Sequence, residues 1–136
     1  MTIKTARSVA ADIKEFLLKR ENAKAKVLNS LTHHDFLDVE VLTGGIPEDK
    51  AKLISDTVDN MLEPINKQVK KITDEQNYIE EKKPLLKQIV RLLKAELTQI
   101  VKVKEAMVDK NPDKISESLK DLHTIVQECK EKIEEI

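Results

Sequence analysis

From Val58 to Met107 one positional rhythm runs without a slip: Val58, Leu62, Ile65, Val69, Ile72, Gln76, Ile79, Lys83, Leu86, Val90, Leu93, Leu97, Ile100, Lys104 and Met107 alternate steps of four and three over seven heptads. A strand alternates every second residue, so a stripe of this length can only be helical, and its 4-3 alternation is the seam of left-handed, coiled-coil-like packing. Gln76, Lys83 and Lys104 are the polar interruptions. A second stripe of the same period, Ile115, Leu119, Leu122, Val126, Cys129, Ile133 and Ile136, closes the chain. Neither stripe is stable alone in water, and each requires a helix to cover it.

Composition removes the competing fold classes. The 136 residues include two glycines, no tryptophan and 2% aromatics. β-Sandwiches and barrels need many glycine and proline turns between aromatic and β-branched strands, and α/β folds need a turn after most strands. The chain therefore reads as all-α, an antiparallel up-and-down helical bundle of four main helices or five, forming a single domain over 1–136. No glycine-serine linker or internal repeat divides it.

Helix boundaries follow from local chemistry. Ser8 reads as the N-cap of a first helix over 8–31, whose polar middle, Lys19 to Lys26, faces water or presents Ala23 and Ala25 to a neighbour. Residues 32–46 form the main loop, with a short helix over 36–42 ending at Gly44. Pro47 followed by Glu48 and Asp49 opens the next helix, with acids at the positive end of its dipole. Pro84 predicts a break and the start of a helix over 84–109, whereas Pro64 reads as a kink. Asn111-Pro112-Asp113 is a turn and cap that opens the last helix, 112–134.

Charge points away from nucleic acid. The 24 basic and 25 acidic residues nearly cancel, which leaves no long-range field for phosphate backbones. The basic residues Lys67, Lys70, Lys71, Lys82, Lys83, Lys87, Arg91 and Lys94 are diluted by acids and lack interleaved aromatics. Cys129 is the only cysteine, so no intrachain disulfide forms and a reducing, cytoplasmic setting is the expectation. No stretch has the ~20 apolar residues of a membrane span.

The residues that carry chemistry elsewhere give no constellation here. His33 and His34 point in different directions from adjacent positions, His123 flanks a core stripe, and Cys129 lies within one. Gly44-Gly45 lacks the lysine of a phosphate loop. The expectation is therefore a non-enzymatic protein-protein interaction or regulatory adaptor module with no catalytic residue, cofactor or metal. It would act through heptad faces not consumed internally, with Ile65, Val69, Ile72 and Ile79 as the partner-binding set and another protein or a second copy as partner. The alternatives are a bundle that binds a small anionic ligand in a polar pocket formed by Gln76, Lys83 and Lys104, or a weak nucleic-acid-binding accessory protein.

Overall fold

The computed structural model describes residues 5–33 and 46–136. The expected 36–42 helix, His34 and the paired glycines lie outside the described residues. The rest is all-α: α1 (Ala6–Thr32), α2 (Glu48–Asp59), α3 (Leu62–Glu75), α4 (Lys83–Asp109) and α5 (Pro112–Glu134), with two short 3-10 turns, Gln76–Tyr78 and Glu80–Lys82, between α3 and α4.

Helix α1 begins earlier than Ser8 suggested. Thr5 is the cap: its hydroxyl accepts from the Ser8 amide at 3.1 Å, and Ser8 Oγ accepts from the Thr5 amide at 3.1 Å. This reciprocal capping box satisfies two amides at once, and Ser8 serves as its third-position partner. At Pro64 the kink reading is replaced by a break, because α2 ends at Asp59 and α3 restarts at Leu62. Proline lacks the amide that an interior helical residue donates, and in the first turn of a new helix that amide has no intrahelical acceptor anyway. The same logic places Pro84 in the first turn of α4.

Two residues, Lys110 and Asn111, connect α4 to α5. Lys110 takes the left-handed conformation at φ 56°, a terminating geometry usually left to glycine. Asn111 Oδ1 then accepts from the Asp113 and Lys114 amides at 3.0 and 3.3 Å. Replacing Asn111 with alanine should cost about 1 kcal/mol, read as a lower urea midpoint with an unchanged slope.

Four helices close a ring of contacts, α1 to α5, α5 to α4, α4 to α3 and α3 to α1, while α2 packs on α4. One hydrophobic cluster draws on all five helices. The C-terminal stripe behaves as its spacing predicts, with Ile115, Leu119, Leu122, Val126, Cys129 and Ile133 all buried. The long central stripe is half right. Val58, Ile65, Ile72, Ile79, Leu86, Leu93 and Ile100 are buried, whereas Leu62, Val69, Val90 and Leu97 are half-buried and Lys104 is exposed. The second buried line lies on the other flank of that seam, at Met61, Gln68, Ile89, Glu96 and Val103.

Candidate functional site

The seam turned to that side because it carries polar groups that pair inside the core. On α1, Leu17, Glu21, Lys24 and Leu28 follow steps of four, three and four, so both charges stand on the buried stripe; Glu21 is 0% exposed and Lys24 is 3%. The turn from Lys19 to Lys26 was expected to face water or to present Ala23 and Ala25 to a neighbour; Ala25 does pack against the core and Ala23 is exposed, but the charges of Glu21 and Lys24 are what the turn buries. Helix α3 contributes Gln68, α4 contributes Glu96 and α5 contributes Cys129, each 0% exposed. Each of the four ring helices thus inserts at least one polar or thiol side chain at one level of the core.

Lys24 organises the cluster. Its ammonium contacts Glu21 Oε1 and donates to Gln68 Oε1 and Glu96 Oε1, both at 2.7 Å. Those three acceptors use all three of its donors. Gln68 Nε2 in turn donates to Glu21 Oε1 at 2.7 Å and to the Leu17 carbonyl at 3.2 Å. The second oxygens, Glu21 Oε2 and Glu96 Oε2, are buried with no hydrogen-bond partner. One carboxylate oxygen of each glutamate and Cys129 Sγ lie within 4.8 Å of one another.

The electrostatics follow from two acids sharing one cation out of water. Burial, reinforced by the negative charge of Glu21 and opposed by Lys24, pushes Glu96 up to about 8. Burial and the two glutamates also push the Cys129 thiol up. A nucleophilic cysteine needs the reverse, electropositive and partly open surroundings. Chemistry on an external substrate would further require access, and none of the five side chains is more than 3% exposed. Cavities flank the helices on the α1 side. One, of about 260 Å³, lies between α1 and the α2–α3 junction and has Lys24 in its wall with Met61 and Pro64. Another, of about 670 Å³, lies between the start of α1, the 3-10 turns and Ile136.

The residues singled out from sequence fall elsewhere. Ile65, Ile72 and Ile79 are 0%, 1% and 4% exposed, and Val69 packs half-buried against the same core. In this fold the chain's own helices cover that face. Gln76, Lys83 and Lys104 do not converge: Lys83 pairs with Glu80 at 3.0 Å at the start of α4, and Lys104 pairs with Asp59 near its end, about 30 Å along the helix. The α3 part of the basic face is paired in place, with Lys67 on Glu63 at 2.9 Å, Lys70 on Asp74 at 3.1 Å, and Lys71 on Asp12 at 2.6 Å and Glu75 at 2.7 Å. Gln127 lies 3.2 Å from the half-buried His123.

A sequence signal for the cluster did exist. Helical spacing followed without regard to residue type passes through Glu21 and Lys24 on α1 and through Glu96 between Leu93 and Ile100 on α4. Opposite charges on two such stripes are candidates for pairing. Fold and cluster together define an all-α protein whose core is crossed by a buried ionic network. Comparison with protein-family models, with curated proteins and with solved structures finds no match in any of the three. Among the described residues, no helix is long and apolar enough to cross a membrane.

Proposed function

We propose that the chain is a non-enzymatic protein-protein interaction or regulatory module, folded as one antiparallel up-and-down bundle with coiled-coil-like packing. The two-residue link between α4 and α5, together with their extensive mutual contact, supports the antiparallel arrangement. The outer face of α4 carries the functional reading. Val101 is 55% exposed and Val108 is 80% exposed; seven residues apart, they stand on one face, opposite the buried Ile100 and Val103 seam. This replaces Ile65, Val69, Ile72 and Ile79 as the partner-binding surface. A second copy or another protein that lays an apolar helix along Val101 and Val108 would cover it. The free, buried Cys129 suits a reducing, cytoplasmic compartment.

Light scattering over two decades of concentration tests self-association. The expected mass exceeds 15.5 kDa at the top of the range and falls towards 15.5 kDa on dilution. Val108→Glu should hold it there throughout. A wild-type mass of one chain at every concentration would overturn self-association. Attention would then pass to a different protein or to a small anionic ligand in the 670 Å³ groove, whose lining includes Arg7, Lys14 and Lys82 together with Glu80 and Glu81.

A further inference from the structure

We propose that Glu21, Glu96 and Cys129 form a buried site for one divalent transition-metal ion of the zinc class. Three observations point there independently of the α4 surface. First, one carboxylate oxygen of each glutamate and the Cys129 sulfur lie within 4.8 Å of one another, close enough that side-chain shifts of about 1 Å would bring all three onto a single ion with bonds of about 2.0–2.3 Å. Second, Glu21 Oε2 and Glu96 Oε2 are sealed from water with no hydrogen-bond partner. A buried carboxylate oxygen left without a donor is costly, and one cation placed between the two would satisfy both. Third, the opposite oxygens, both Oε1 atoms, are held by Lys24, and Gln68 also holds Glu21 Oε1. Partners of this kind orient the carboxylates that grip a metal.

Charge balance distinguishes this cluster from a merely acidic one. Two carboxylates and a thiolate carry three negative charges, and a divalent ion with the Lys24 ammonium carries three positive ones. The core would then be neutral with Lys24 left in place. The donor set also selects the ion. Magnesium and calcium take oxygen donors, whereas sulfur with two oxygens suits zinc and its neighbours, with one coordination position left for a further ligand. A bound ion deprotonates a coordinating thiol outright, which removes the obstacle that burial places on Cys129. The 260 Å³ cavity stops at Lys24, which stands between it and the two glutamates.

The test uses the full chain, reduced and freed of metal by chelation, titrated with Co²⁺ and then with Zn²⁺. One ion per chain is expected, with a near-ultraviolet sulfur-to-cobalt charge-transfer band that Cys129→Ser loses while retaining its helical circular dichroism. Zinc should raise the melting temperature of the wild type. X-ray absorption on the zinc-loaded wild type, which depends on no variant, should find one sulfur at about 2.3 Å. Absence of stoichiometric binding overturns the proposal, and so does a zinc shell without sulfur, which would place the ion on surface histidines or carboxylates.

Discussion

Lys24→Met is expected to cost about 3–5 kcal/mol of stability, because it leaves the Glu21 and Glu96 carboxyl groups in the core with no cation between them. For a small domain holding roughly 5–15 kcal/mol in total, that is a large share. The loss is not the strength of the ion pairs. It is the cost of two buried acids whose partner has gone, along with the Gln68 carbonyl that accepted from the same ammonium at 2.7 Å. The companion variant separates these meanings. Changing Glu21, Lys24, Gln68 and Glu96 together to Leu, Met, Leu and Leu should recover most of the loss or exceed the wild type, since apolar packing often equals a buried ionic network in stability. Urea midpoints of the two variants beside the wild type decide it. A Lys24→Met midpoint within error of the wild type would show that the ammonium does not hold the cluster together.

Stability should also decline as pH rises from about 5 to 8. Glu96 is the group responsible, its ordinary value of 4.5 being pushed up to about 8 chiefly by burial and then by Glu21, against the opposing effect of Lys24. Between those values the folded chain holds a proton that the unfolded chain has released. The contribution is therefore fully present below about 4.5, fades as pH climbs, and is gone above about 8. A single group sets a slope of at most about 1.4 kcal/mol per pH unit, so the whole window is worth a few kcal/mol. Urea unfolding at pH 5.5, 7 and 8.5 with a chelator present measures it. Glu96→Gln, which keeps an acceptor for Lys24 but carries no titrating proton, should flatten the profile. Equal slopes in the two proteins would rule out Glu96 as the source.

Much of the architecture was legible in the residues. The last helix, its Asn111 cap and all six of its buried stripe positions through Ile133 follow from 4-3 spacing and one turn signal. The start of α4 beside Pro84 follows from proline chemistry. Pro64 was harder to read, because a proline is compatible both with a kink and with the first turn of a new helix. Only the packing of α2 on α4 and of α3 on α1 and α4 selects the break.

The choice of seam shows where local information runs out. After Val58 the helix can bury either the residues four positions on, Leu62, Val69, Val90 and Leu97, or those three positions on, Met61, Gln68, Ile89 and Glu96. Hydrophobicity favours the first line. The fold buries the second more deeply, because Gln68 and Glu96 meet Lys24 of α1 there and their polarity is satisfied across the core. Periodicity and composition determine that this chain is helical, roughly where each helix runs, and that apolar stripes must be covered. Which side of the central helices faces inward, and so which residues form a site, was decided by tertiary structure. A charge is costly or acceptable in a core according to what stands opposite it, and the partner of Glu96 lies 72 residues away in the chain.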